Sequence, residues 1–141
     1  MQPSERGSTS LEFVVVALGV LIPILAVTVS TTAIQHAQFA TTEISRQGVR
    51  ALALATNTTA GHRAIRRIAR LTLADFGITQ SARFTIACTP QPCGGYGSLY
   101  RLTTTVTVPL AMIPALPGLD VLTRIPVSAT ATHRAPLPVT P

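Results

Sequence analysis

Few side chains in this sequence can do chemistry, and those few are scattered. The carboxylates are Glu5, Glu12, Glu43, Asp75 and Asp120, and none forms a spaced pair for acid–base work on one predicted element. His36, His62 and His133 are equally dispersed, so neither they nor the two thiols make a metal-ligand set. No phosphate-cradling glycine loop, nucleophile elbow or His-Glu-x-x-His occurs, and Gly94-Gly95-Tyr96-Gly97 is turn chemistry. The pattern predicts no enzyme, no cofactor and no metal. One acidic residue does stand in an unusual place. Glu12 sits at the mouth of a long apolar run, where a carboxylate is costly unless it is paired or wetted. Alternatively it lies at headgroup depth and favours the helix N-terminus through the dipole.

The element that positions Glu12 is the stretch from Gly7 to Ala33. Phe13 to Ala33 carries no charge, which is about 21 residues or roughly 31 Å of helix, the thickness of a bilayer core. The run is too long for a signal-peptide core and no Ala-x-Ala site follows it, so it predicts a retained membrane helix.

Arg6-Gly7-Ser8-Thr9-Ser10-Leu11-Glu12-Phe13, followed by Val-Leu-Ile-Pro-Ile-Leu, resembles the processing site of type IV pilins. Within that superfamily it is most similar to the TadE/TadF-type pseudopilins of tight-adherence (Flp) pilus systems. The resemblance is close over Glu5 to about Ala53 and only general beyond. It implies a short leader, residues 1–7, removed by a prepilin peptidase on the cytoplasmic side between Gly7 and Ser8. Glu12 is then the fifth residue of the mature chain, with Phe13 beside it. It also implies partners: the peptidase, other pilin or pseudopilin subunits, the assembly machinery and membrane lipid. The chemistry agrees with that reading. Glycine lets a protease approach the backbone closely. The cut frees an α-amine on Ser8, charged below a pKa of about 8. That amine and a Glu12 carboxylate at the same depth in adjacent subunits would neutralise each other and set register.

The chain has 141 residues, 47% of them hydrophobic and 11% charged, which suits a membrane protein with one small further core. The net charge is +6 and every basic residue is Arg. The arginines follow a membrane span and lack interleaved aromatics, which points to anionic lipid or acidic wall polymer and not to nucleic acid. Cys88 and Cys93 flank Thr-Pro-Gln-Pro; a disulfide closing a turn implies an oxidising compartment, and two free thiols in a cytoplasmic loop are the other reading. Arg46 and Arg50 after the span, against Arg6 before it, favour a cytoplasmic C-terminus by charge alone. The cytoplasmic cut and the cysteine pair outweigh this and predict a cytoplasmic N-terminus and an extracytoplasmic head at the cytoplasmic (inner) membrane.

The expected architecture is α+β: an N-terminal helical region 8–56, a head 57–134 and a Pro-rich, unstructured tail 135–141. The first helix is expected from about Leu11 to about Ala55, with Pro23 kinking it or loosening one turn and Glu43 pairing weakly with Arg46. Ala26, Ser30, Ala33, Ala37, Ala40 and Ile44 form a heptad-like seam of mostly small residues. It is expected to meet neighbouring helices within the membrane part and the chain's own head beyond Ala40. Asn57-Thr58-Thr59 is read as a cap and not a glycosylation site. A second helix is expected from about Ala60 to Phe76, stopped by Gly77, with Ile65, Ile68, Ala69, Thr72 and Phe76 on one face. Arg63, Arg66, Arg67 and Arg70 beside that face are either a solvated stripe or a contact for anionic headgroups or an acidic partner. Three strands are expected over Arg83–Cys88, Tyr100–Val108 and Pro126–Thr132, with Ala129 and Ala131 leaving room for a helix across the sheet. The apolar, proline-broken link 109–120 either folds back as core or forms an exposed loop touching membrane or partner.

Two function classes fit. One is a membrane-anchored TadE-like pseudopilin of a pilus or related secretion apparatus. The other is a signal-anchored surface module whose head binds wall polymer or a partner protein, with Glu12 incidental.

Overall fold

The computed structural model describes residues 8–91, 93, 97–109 and 124–137, with side chains from Leu11 onward. The fold is α+β. Helix α1 (Ser8–Ala53) is followed by α2 (Thr58–Asp75) and by strands β1 (Ala82–Thr89), β2 (Leu99–Pro109) and β3 (Arg124–Arg134). The leader 1–7 and almost all of the link 109–120 lie outside the described residues.

α1 has 46 residues, about 69 Å of helix, and changes character along its length. Its first half is apolar all round and bare. Leu11, Phe13, Val14, Val15, Val16, Leu18, Val20 and the large residues up to Val29 are all exposed. Pro23 lies inside this half, and the helix continues through it. The second half is amphipathic. Ala37, Ala40, Ile44, Val49 and Leu52 are buried, while Gln38, Thr42, Arg46, Gln47 and Arg50 face outward, as a helix covering a core on one side requires.

α2 begins at the expected cap: the Asn57 side-chain oxygen accepts from the Ala60 N–H at 2.8 Å. It ends where Gly77 takes a positive φ of 66° and Ile78 N–H reaches back to the Leu73 carbonyl at 2.8 Å, a wrap that favours glycine. Gly61, Ile65, Ala69, Thr72 and Leu73 are buried, whereas Ile68 and Phe76 are only half-buried. The buried stripe is thus turned toward Leu73 relative to the face expected from the sequence.

The sheet is antiparallel in the order β1-β2-β3. β2 alternates strictly: Tyr100, Leu102, Thr104, Val106 and Val108 point into the core and their neighbours point out. α1 lies across this inner face, antiparallel to β2. Val49 and Leu52 meet Tyr100 and Leu102 at one end, Ala40 and Ile44 meet Val106 in the middle, and Ala37 with Ala33 meets Val108 at the other. α2 runs back alongside α1, with Ile65 near Val49 and Leu52, and Ala69 and Leu73 near Ala40 and Ile44. Full burial of Ile44, Ile65, Leu102 and Val106 contributes about 1.5–3 kcal/mol each, so this helix–sheet sandwich is the head's main stabiliser.

Two expectations are corrected here. Ala135 is no part of a loose tail: it is buried in the core cluster and its N–H donates to the Ser98 carbonyl at 2.8 Å. The Glu43–Arg46 pair does not form; Glu43 instead accepts from the Gln47 amide, and no ion pair occurs among the described residues.

Candidate membrane helix and the adjoining end of the head

The candidate site is the bare half of α1 together with the end of the head from which it emerges. α1 is the one described helix long and apolar enough to cross a membrane. Three of its threonine hydroxyls bond back onto the helix, whereas the buried Ser30 Oγ has no partner among the described residues. Thr28 donates to the Ile24 carbonyl at 2.9 Å, Thr31 to Val27 at 2.8 Å and Thr32 to Thr28 at 3.0 Å. Hydroxyls bonded back onto their own helix need no water, which is what hydrocarbon demands of them.

Glu12 and Phe13 sit exposed on the first turns of this half. The backbone of Ser8 is the first described residue; Gly7 lies outside the described residues, as does the Ser8 side chain. Glu12 therefore projects from a naked apolar cylinder, with the chain's own head some 20 residues further along.

The small-residue seam divides differently from expectation. Ser30, Ala37 and Ala40 are buried and Ala33 packs partly against the head's own strands; only Ala26 belongs to the bare half. The physical reason is the length of β2 and β3, which reach to Pro109 and Arg124 and so carry the sheet down α1 as far as Ala33. Small residues let the sheet approach the helix closely, as they would let another helix approach.

A polar contact that no sequence pattern announced locks this packing. Ser45 Oγ lies 2.9 Å from Thr104 Oγ1 and 2.9 Å from the Ala129 carbonyl, and both Ser45 and Thr104 are buried. A hydroxyl has one proton and a carbonyl only accepts, so Ser45 donates to Ala129 and the Thr104 hydroxyl supplies the other bond. Ala129 thus does leave room for the crossing helix.

Arg63, Arg66, Arg67 and Arg70 are all exposed along α2. Phe76, at the end of α2 nearest the bare half of α1, lies beside His36 with ring centroids 6.1 Å apart. Arg70 then stands about 9 Å above that level and Arg63 about 20 Å above it. The stripe thus runs along α2 away from the bare half of α1.

Cys88 and Cys93 are joined in a disulfide, with Cα atoms 5.7 Å apart. It closes the turn at the end of the head furthest from the bare helix, beside Tyr100 and Leu52. No protein-family model matches the chain, and neither a curated protein nor a solved structure matches it.

Proposed function

We propose that this chain is a TadE/TadF-like pseudopilin, a minor subunit that takes part in assembling a tight-adherence pilus or a related secretion apparatus. The observation that carries the reading is a single helix whose apolar half stands bare below a head packed on its other half, with Glu12 at the far mouth of the bare half. In this reading the bare half lies in the cytoplasmic membrane, the N-terminus is cytoplasmic and the head extracytoplasmic, where its disulfide persists. A prepilin peptidase cuts between Gly7 and Ser8. The new Ser8 amine of one subunit then pairs with Glu12 of the next, which removes the cost of a carboxylate beside hydrocarbon and fixes the stagger between helices. Bare helices packed in this register leave the bilayer as a bundle, driven by helix–helix contacts and the assembly motor.

The test is mass spectrometry of the N-terminus of the full chain extracted from membranes. The chain is expected to begin at Ser8. A chain that keeps Met1 to Gly7 overturns the reading and leaves a signal-anchored surface module. Glu12→Gln is expected to be trimmed normally but to fail in assembly; assembly at the parental level removes the electrostatic account.

A further inference from the structure

The membrane-facing end of the head carries a cleft that the pseudopilin reading does not use. It lies on the outer face of the sheet, encloses 410 Å³ and is lined by Arg83, Arg124, Thr105, Thr107, Gln80 and Ser81, with Pro109 at its rim. The two arginines come from opposite edge strands, β1 and β3. Arg83 pairs in register with Thr105 from β1, and Arg124 pairs with Pro109 from β3, so Thr107 lies between them on β2. No described acidic residue lines the cleft, and neither arginine has a carboxylate partner among the described residues. Two planar guanidinium forks around hydroxyls and a primary amide form a donor set for a phosphodiester.

Its neighbour tells which phosphodiester. A second hollow of 200 Å³ adjoins the cleft and shares Gln80 and Pro109 with it. Its apolar walls are Ala33, Phe76, Ile78 and Val108, with His36 and Thr79 also lining it, and it lies where α1 leaves its uncharged run. A cationic cleft that meets, at Gln80 and Pro109, a hollow with apolar walls near the end of the uncharged run suits an amphiphile: phosphate in the one, glycerol and upper acyl chain in the other. We propose that the membrane-facing end of the head binds one anionic phospholipid, its phosphate held between Arg83 and Arg124 and its apolar part in the notch beside Ala33. This needs only that α1 spans the bilayer and is independent of leader cleavage or fibre assembly. The bound lipid pins the head at a fixed height and rotation on the membrane surface, because both arginines belong to the sheet that grips α1.

The test is native mass spectrometry of the full chain in detergent with added phosphatidylglycerol or phosphatidylcholine. The parent is expected to retain one phosphatidylglycerol and no phosphatidylcholine. R83Q/R124Q is expected to lose that retention by roughly 30-fold, two basic contacts being removed. R101Q/R134Q removes the same charge from the far end of the same face and is expected to leave it unchanged. Thr107→Val, which alters no charge, is expected to weaken retention several-fold while the thermal transition stays in place. Equal losses in the two double variants reduce the effect to general charge attraction and overturn the proposal, as does unaltered retention in R83Q/R124Q. Displacement of the lipid by a soluble acidic polysaccharide overturns it in favour of a polymer site.

Discussion

Gly48 gives the sharpest test of how closely α1 approaches the sheet. A Cβ at this position would lie 2.6 Å from Leu102 Cδ2 and 3.5 Å from Ile65 Cγ1. Carbon atoms in contact rest about 3.5–4.0 Å apart, so Leu102 must retreat by about 1 Å. It has little room to do so. Leu102 is fully buried and clustered with Val49, Leu52, Ile65 and Tyr100. Overpacking of this kind costs about 1–3 kcal/mol, while replacing glycine by alanine within a helix returns about 1 kcal/mol. The steric term wins, and Gly48→Ala is expected to destabilise by as much as about 2 kcal/mol. For a head of this size each kcal/mol lowers Tm by about 4–8 °C. Thermal unfolding of the full chain in detergent, followed by circular dichroism, reads it out. Gly19→Ala is the internal control: nothing lies within 4 Å of its Cβ position, so Tm should hold or rise. Leu102→Val shortens the clashing side chain, and the Gly48→Ala/Leu102→Val pair should be milder than the sum of its singles by about 1 kcal/mol. A Gly48→Ala variant more stable than the parent, or a strictly additive pair, refutes the close approach.

Ser45→Ala strips the Ala129 carbonyl of a donor and the Thr104 hydroxyl of its acceptor in a buried setting, and should cost about 2–3 kcal/mol in urea unfolding. Thr103→Ala, whose hydroxyl partner Thr130 sits on the solvent face, should cost less than about 0.5 kcal/mol; equal losses would mean Ser45 is wetter than its burial states. Asn57→Ala should cost about 1 kcal/mol and speed amide exchange at Ala60, and Asn57→Asp should restore both. An Asn57→Ala variant with unchanged exchange at Ala60 removes the cap.

The elements were legible because their periods differ. Alternation over Tyr100–Val108 and the Asn57 cap before an Arg-rich helix each point to one backbone state, and the structure extends those elements by only a few residues. The face of α2 was less so: Leu73 and Ile68 flank the same stripe, and the way α2 lies against Ala40 and Ile44 of α1 covers Leu73 and leaves Ile68 half-buried. The partner of the small-residue seam was not legible at all. Ala33 and Ala37 have the same spacing whether a neighbouring helix or the chain's own sheet comes close. The deciding fact is that β3 starts at Arg124, two residues before the expected Pro126, which brings Ile125 to the foot of α1. The Ser45–Thr104 contact left no trace either, because hydroxyl residues occur on both faces of β2 and only the helix above makes one of them buried.

That division of α1 constrains how subunits of a pseudopilin would meet. The head has taken Ala33, Ala37 and Ala40 for itself. The bare half keeps Ala17, Gly19 and Ala26 among a surface of Val, Leu and Ile. Apolar surface gains no hydrophobic energy when it leaves lipid for another helix, and bulky side chains hold backbones apart, so in this reading packing along this half holds helices together without selecting one stagger. A uniformly apolar cylinder cannot set its own register. A polar group beside hydrocarbon can, because every stagger but one leaves it unpaired. Glu12 is the only carboxylate on the bare half. Moving it by one turn, in a Glu12→Val/Val16→Glu variant, keeps composition and charge while shifting the pairing depth by about 6 Å. If the carboxylate sets register, this variant should fail to join parental subunits in cross-linking at the bare helix; mixing at the parental rate would show that the apolar surface alone holds the bundle.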